Sequence, residues 1–315
     1  MGTEAPELDG FQQLLAELAR GDAKEIEHLL LSHETPVVLP DTNATVRTHF
    51  VASDANGQPA VELLAQAMAY AALEFCVPRA RIQAAANAYS KTKSPMAFSR
   101  LHAQARDLFV NADGTGEGGE LLLFLLLERV LKLPQLLAKM SLKTNKNVHV
   151  HGSDGVHARL ADDGVLELSW GESKLYKSSS KAISDCFSSI APFLGSAGDS
   201  RRRDLLLVRD HLNVEDEALA AYILDYFDES NAKILDVRWN GVCLIGFDYP
   251  DYPDLKKLAK EQSLEVSKAV KKWHKAVSKR LDTHALKSVQ FDVFCIPFPS
   301  VEAVRKSVRE NLGLS

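Results

Sequence analysis

Residues 148–176 read VHVHGSDGVHARLADDGVLELSWGESKLY. Two stretches of alternating apolar residues lie on either side of Asp163-Gly164, which predicts two β-strands joined by a tight hairpin turn. Asp154 precedes that turn by about nine residues and Glu172 follows it by about eight, so antiparallel pairing places them opposite one another within a residue or two. Lys174 lies two positions beyond Glu172 and therefore points to the same face of its strand. The segment predicts two carboxylates and a lysine at one point.

This combination of side chains suits the cleavage of a phosphodiester bond. Carboxylate oxygens bind hard cations such as Mg²⁺, and a bound cation lowers the pKa of its water ligand and offsets charge on the phosphate. A lysine beside them orients or deprotonates the nucleophile, or stabilises the developing charge. Alternating Glu and Lys residues are also common on solvent-facing strands, which leaves an ordinary cross-strand pair open. Leu168, Trp170 and Leu175 favour the functional interpretation, because they indicate a strand that does not face water.

The rest of the chain predicts an α/β fold with a helical front. Helical periodicity dominates before residue 110, apart from one strand around residues 47–52 in a loop-rich stretch. We assign residues 1–110 to a mainly helical N-terminal region and residues 111–315 to a domain with a mixed sheet flanked by helices. In that second region the pattern predicts a helix from 120 to 130, a further helix to Met140, a loop over 195–203, a turn at Asn240-Gly241, and strands at 234–236, 242–247 and 289–297.

Composition sets limits on partners and compartment. The 315 residues carry a net charge of −5, so a nuclease with this balance needs a local basic surface or a basic partner to hold nucleic acid. The four cysteines form no C-x-x-C pair and indicate a reducing compartment. The N-terminal residues do not resemble a secretory signal, and the apolar stretch 121–127 is too short to span a membrane. We therefore expect a cytoplasmic protein without a membrane partner.

Three further features have both a plain and a functional interpretation. Glu120 opens a helix, where a carboxylate is favourable to the helix dipole whether or not it binds metal, and Glu128 is expected at a solvated position. Three histidines, His149, His151 and His157, lie near the hairpin, but the spacing of a closed zinc site is missing. The lysine-rich helix predicted at 254–281 is typical of a solvated face, with contact to DNA phosphates or to a partner as alternatives.

The order of these elements resembles the core of the PD-(D/E)XK nucleases. In that core a helix bearing Glu precedes a hairpin with Asp, a strand that ends in E-x-K, and another helix. More specifically, GELLLFLLLE at 119–128, GSDGVH at 152–157 and LSWGESKLY at 168–176 look like the nuclease subunit of Hachiman anti-phage defence systems. The strand at 289–297 also looks like the C-terminal part of that family. The resemblance covers about residues 95 to 310.

The resemblance implies a PD-(D/E)XK-like fold and a metal-dependent deoxyribonuclease. Asp154 and Glu172 would be catalytic metal ligands together with Glu120 and the Ser173 carbonyl, and Lys174 would be the catalytic lysine. The cofactor would be Mg²⁺ or Mn²⁺. The partners would be DNA and a superfamily 2 helicase in a heterodimer, and the chain itself has no P-loop motif that could serve as a motor.

A second hypothesis is a catalytically inactive subunit that binds its partner or nucleic acid and regulates it. The intact Asp, Glu and Lys argue against this alternative. The sequence does not distinguish DNA from RNA as substrate, and it assigns no nucleic-acid-binding residues.

Overall fold

The computed structural model describes residues 8–109, 116–143, 152–195, 199–250, 252–254, 257 and 260–314. The helices are α1 (Leu8–Glu17), α2 (Lys24–Glu27), α3 (Val61–Cys76), α4 (Arg79–Thr92), α5 (Met96–Asp107), α6 (Glu117–Leu125), α7 (Ser179–Leu194), α8 (Asp199–Asp210), α9 (Glu217–Leu224), α10 (Lys260–Thr283) and α11 (Val301–Asn311). The strands are β1 (Leu30–Ser32), β2 (Val37–Val38), β3 (Ala44–Val51), β4 (Gly155–Leu160), β5 (Leu166–Tyr176), β6 (Val237–Asp248) and β7 (Phe291–Phe298).

One mixed sheet organises these elements. Its strand order is β1-β3-β7-β6-β5-β4, with β2 paired to β3. Strands β3, β7, β6 and β5 pair in parallel with one another in that order. At one end β4 pairs antiparallel with β5, and at the other β1 and β2 pair antiparallel with β3. The predicted class, a mixed α/β sheet flanked by helices with a helical N-terminal region, is confirmed. The sheet takes strands from both sides of residue 110.

The hairpin of β4 and β5 has the predicted turn and register. Gly164 adopts a φ of 79°, a left-handed conformation that glycine reaches without steric cost. Gly155 pairs with Gly171 at the last step of the ladder, which brings Asp154 level with Glu172 just beyond it. The Asp154 amide continues the pairing, because it donates to the Gly171 carbonyl at 2.9 Å.

The two faces of β5 lie against different hydrophobic clusters. Leu166, Leu168 and Trp170 belong to the cluster that also contains the buried residues of α7 and α10. Leu175 belongs to the cluster on the other face, with α3, α6 and α11. Because side chains alternate along a strand, Glu172 and Lys174 share the α7 face and Ser173 shares the α6 face.

Helix α6 lies unusually close to β5. A Cβ atom at Gly119 would lie 2.8 Å from Leu175 Cδ1 and 3.0 Å from Ser173 Oγ, and one at Gly171 would lie 2.9 Å from Leu123 Cδ2. Glycines on both elements therefore let the helix and the strand approach each other. The helix then continues as a π-helical turn at Leu126–Val130.

The expectation of a solvated Glu128 is wrong. This carboxylate is fully buried, with an exposed fraction of 0%. It accepts hydrogen bonds from the amides of Arg20 (2.6 Å) and Gln135 (2.9 Å), and it pairs with the Arg79 guanidinium at 3.3 Å. The apolar run around it in the sequence was therefore the better indicator, since every neighbour from Leu121 to Leu127 is buried.

Helix α8 replaces most of the loop predicted over residues 195–203. Its buried residues, Asp204 and Val208, are four positions apart and share one helix face. The residues around them are mostly polar or basic, including Arg201-Arg202-Arg203, so the sequence shows no clear helical periodicity of apolar residues here. The further helix predicted up to Met140 is reduced to a short 3-10 turn at Lys139–Leu142.

The predicted turn at Asn240-Gly241 is also wrong. Both residues lie inside β6, which runs without interruption from Val237 to Asp248, and the strand predicted at 234–236 is largely a 3-10 turn. Gly241 is needed for packing, because a Cβ atom there would lie 2.2 Å from Cε1 of Phe291 on the neighbouring strand. A glycine that makes room for an aromatic ring has the same sequence signature as one that makes a turn.

The four cysteines are buried, and none forms a disulfide. Within the described part of the chain, no single helix combines the length and apolarity needed to cross a membrane. Only α3 and α4 reach those values, and they do so jointly, across a bend of 100°.

The contact of α6 with β5 predicts different effects at two adjacent glycines. Gly119→Ala and Gly118→Ala gain the same helix propensity, but a Cβ atom at Gly118 has its nearest neighbour, Val308 Cγ1, at 3.8 Å. We expect the free energy of unfolding of Gly119→Ala to be about 1–3 kcal/mol lower than that of Gly118→Ala, because only the added methyl group at position 119 is overpacked. Urea denaturation of both variants measures this difference, and equal stabilities would contradict the close packing.

Candidate active site at the ends of strands β4 and β5

Glu172 and Lys174 form an ion pair on the α7 face of β5. Glu172 is 5% exposed, and its carboxylate also accepts a hydrogen bond from Ser189 of α7. The Cys186 thiol, on the same helix, donates to the Glu172 carbonyl at 3.4 Å. Helix α7 therefore fixes both the backbone and the side chain of Glu172, while Lys174 stays partly exposed.

Asp154 lies where the two faces of the hairpin meet. Its Oδ2 atom accepts hydrogen bonds from the amide of Ser173 at 2.7 Å and from the Ser173 hydroxyl at 2.8 Å. Ser173 points toward α6, whereas the neighbouring Glu172 points toward α7. The half-buried Asp154 therefore lies between the α7 face of β5, which carries Glu172, and the α6 face, which carries Ser173.

Glu120 is the carboxylate on the α6 side. It occupies the first turn of α6, one residue after the glycine that contacts Ser173. Burial and, after it, the negative charge of Asp154 raise the pKa of Glu120 to about 8, against the opposing effects of Lys139 and Lys143. The Glu120 carboxylate therefore lies within electrostatic range of Asp154.

Crowding of like charges also affects Glu172. Burial raises the pKa of Glu172 to about 7, with a second contribution from Asp154, although Lys174 and Ser189 lower it. Two of the three carboxyl groups therefore resist ionisation near neutral pH. A bound cation would relieve this repulsion, which is the electrostatic character expected of a metal or catalytic site.

The donor set fits a hard cation such as Mg²⁺. The side chains on offer are carboxylates, the oxygen ligands that Mg²⁺ prefers, and Ser173 adds a backbone carbonyl. Among the described residues, however, no three His, Cys, Asp or Glu side chains are arranged to hold a metal ion by themselves. Mg²⁺ is commonly held by one or two carboxylates together with water and substrate phosphate oxygens, so an incomplete protein cage agrees with that mode of binding.

The residue before Asp154 is held by two side chains that the sequence analysis did not identify. Asp204 of α8 accepts from the Ser153 hydroxyl at 2.7 Å and from its amide at 3.2 Å, and both residues are buried. The Lys139 ammonium donates to the Ser153 carbonyl. Asp204 and Lys139 thereby position the start of β4. No local pattern indicated them, because they lie on elements distant in sequence.

A second missed pair lies at the start of α6. The Lys143 ammonium is 2.5 Å from Glu117 Oε1, and both side chains are buried. Lys143 also donates to the Leu108 carbonyl at 3.2 Å. This pair fixes the first turn of α6, on which Glu120 lies.

Of the three histidines near the hairpin, the one that the structure describes, His157, is not part of a zinc site. His149 and His151 lie outside the described residues. His157 is buried, and its Nδ1 atom lies 2.8 Å from the Leu133 carbonyl. Burial lowers the pKa of His157 to about 4, so it is a neutral core residue.

The raised pKa of Glu120 predicts that the metal-free protein loses stability as pH rises. Between the usual pKa of 4.5 and the folded value of about 8, the folded state binds the Glu120 proton more tightly than the unfolded state. The free energy of unfolding therefore falls with rising pH across this window. Glu120→Gln removes one source of that fall, and Glu302→Gln, at an exposed glutamate in the first turn of α11, is the matched control.

Urea denaturation in EDTA at pH 5 and pH 8.5 measures the effect. We expect a smaller loss of stability for Glu120→Gln than for the wild type, and an unchanged loss for Glu302→Gln. Identical pH dependence in all three proteins would show that Glu120 ionises in an ordinary environment.

Comparison with known proteins gives one family. No curated protein matches the chain. The HamA family model matches residues 25–312, which is most of the chain and includes every residue of the candidate site. The chain therefore belongs to the HamA family, the component of Hachiman anti-phage defence that its hairpin and helix motifs resemble.

Proposed function

We propose that this chain is a metal-dependent nuclease that hydrolyses DNA in anti-phage defence. The observation that carries the proposal is the convergence of Asp154, Glu172 and Lys174 at the ends of β4 and β5, with Glu120 on α6 close enough to Asp154 for the two negative charges to repel each other. Buried carboxylates that repel one another destabilise a fold, and such arrangements cluster at functional sites. Membership of the HamA family supports the same biological role.

Asp154 and Glu172 would hold Mg²⁺ or Mn²⁺, with Glu120 and the Ser173 carbonyl as further ligands. When bound, the cation supplies an activated water and offsets negative charge on the phosphate. The Ser173 amide and hydroxyl fix one oxygen of Asp154, which leaves its other oxygen for the cation. The hydrogen bond from Ser189 limits the rotation of Glu172 in the same way.

Lys174 is best suited to act as a cation. Burial alone would lower the pKa of Lys174, but the adjacent Glu172 and the charge of Asp154 outweigh it and raise this pKa well above its usual value. The amine therefore stays protonated at neutral pH. We infer that Lys174 orients the nucleophilic water or stabilises charge on the phosphate, and that it does not remove a proton.

The nuclease proposal predicts that Lys174→Ala abolishes Mg²⁺-dependent DNA cleavage. Removal of one positioned charge at a phosphoryl-transfer site costs on the order of 10²-fold or more in rate. Lys181→Ala is the control, because Lys181 forms an exposed ion pair with Asp185 on α7. Cleavage of linear and supercoiled duplex DNA is followed with Mg²⁺, Mn²⁺ or EDTA, and circular dichroism checks the fold of each variant.

Full cleavage by Lys174→Ala would remove Lys174 from the mechanism. A wild-type chain that cleaves nothing with either metal, both alone and with its partner, would favour the alternative of an inactive regulatory subunit.

We also propose that the chain works with a helicase-like ATPase. The sequence carries no P-loop motif, and its net charge of −5 gives it little general attraction for nucleic acid. Co-expression with the neighbouring genes of its operon should yield a stable heterodimer with a nucleotide-binding subunit. If size-exclusion chromatography gives only the isolated chain, and that chain cuts duplex DNA at physiological salt, then the partner is unnecessary.

A further inference from the structure

Helix α10 has one buried and one strongly basic face. The buried face packs into the same hydrophobic cluster as α7 and contains Val266, Val270, Trp273, Val277 and Leu281. The opposite face carries Lys271, Lys275 and Lys279, which are four residues apart and therefore follow one another along the helix surface. Lys272 lies beside them, and all four lysines are exposed.

The three lysines of this row differ from two neighbouring lysines, because no carboxylate of the described residues pairs with them. Within the described residues, none of the four forms an ion pair with a carboxylate. Lys268, one turn earlier on α10, pairs with Glu265 at 2.8 Å, and Lys287, just after the helix, pairs with Asp282 at 2.7 Å. The chain as a whole is acidic, with 42 Asp and Glu against 37 Lys and Arg, so a row of unpaired lysines is a local departure from its charge balance.

The row has the dimensions of a short length of nucleic-acid backbone. Eight residues of α-helix rise about 12 Å, which separates Lys271 from Lys279 along the axis. Each strand of duplex DNA carries one phosphate per roughly 3.4 Å of the DNA helix axis, so the row spans about three to four phosphates measured along that axis. An ammonium is a compact point charge that binds phosphate without demanding a fixed geometry.

The row lies on the face of the sheet that carries Glu172 and Lys174. Helix α10 packs against α7, and α7 supplies the Ser189 and Cys186 contacts to Glu172. A duplex held along α10 would therefore lie one helix away from the candidate active site. A protein partner is less well suited to this surface, because lysine is depleted in protein interfaces and the row offers no exposed aromatic anchor.

We propose that Lys271, Lys275 and Lys279 of α10 form a surface that binds the DNA phosphate backbone. The inference rests on the proposed nuclease function, and it adds the part of the chain that holds the substrate. This contact reads no base sequence, because phosphates carry none. The remaining phosphate contacts come from other surfaces or from the partner.

The test measures DNA binding by the full chain without metal, so that no cleavage occurs. The triple variant Lys271→Gln, Lys275→Gln, Lys279→Gln is compared with the wild type on a labelled duplex of about 30 base pairs, by fluorescence anisotropy in EDTA at several salt concentrations between about 50 and 200 mM. If all three lysines contact phosphates, the slope of log K against log salt should become shallower by about 2 to 3. Affinity at the lowest salt should fall by about tenfold or more.

A second triple variant controls for net charge. Lys24→Gln, Lys91→Gln and Lys306→Gln removes three exposed lysines from α2, α4 and α11, which pack against the opposite cluster. Its net charge equals that of the α10 variant, so a purely global effect of charge would weaken both variants equally. We expect this control to keep the wild-type salt slope.

Three results would overturn the proposal: no measurable binding by the wild type at the lowest salt, an unchanged slope in the α10 variant, or equal losses in both variants. A loss of partner binding with DNA binding intact would instead assign the row to a protein interface. The binding assay contains no metal, so its result does not depend on catalysis. If binding depends on the three lysines but the chain cleaves no DNA with Mg²⁺ or Mn²⁺ in the separate cleavage assay, alone or with its partner, the nuclease function is refuted and the DNA-binding surface stays in place.

Discussion

The antiparallel register between β4 and β5 is the constraint on which the candidate site depends. Pairing of Gly155 with Gly171 brings Asp154 level with Glu172, and the tight turn at Gly164 fixes that pairing at the other end of the hairpin. A slip of one residue would turn Glu172 and Lys174 away from α7 and move the apolar residues of β5 out of the clusters into which they pack. Both faces of β5 are buried, so such a slip would cost a large part of the core on each side. The register that stabilises the fold is therefore also the one that assembles the site.

The hairpin alone does not complete the site, since its third carboxylate comes from α6. Glu120 reaches the others because Gly119 and Gly171 let the helix lie against the strand without intervening side chains. Burial and, after it, the charge of Asp154 raise the pKa of both Glu120 and Glu172. Energetically this arrangement is poor for a metal-free protein, and local conflicts of this kind are expected where a fold serves function. The hydrogen bonds from Ser173 and Ser189 fix orientations without removing that repulsion.

A second layer of contacts connects the site to elements far along the chain. Asp204 of α8 and Lys139 hold Ser153, the residue next to Asp154, through its amide, hydroxyl and carbonyl groups. Lys143 and Glu117 hold the first turn of α6. Any displacement of α8 would therefore act directly on the position of Asp154. Residues of this kind support the reacting groups without contacting substrate, and a search for short motifs cannot find them.

Local signals in the sequence are sufficient for some of the elements. Alternation on either side of Asp163-Gly164 predicted the hairpin, and the side chains of Ser178 and Ser300 cap the starts of α7 and α11, because capping and pleating act within a few residues. Other features depend on partners that are distant in the sequence and meet only in the folded chain. Gly241 lies within a strand because the Phe291 ring needs its space, and Glu128 is buried because Arg20, Arg79 and Gln135 supply its hydrogen bonds. A residue's neighbours in sequence report its local conformation, whereas burial and pairing are set by atoms that only the folded chain brings together.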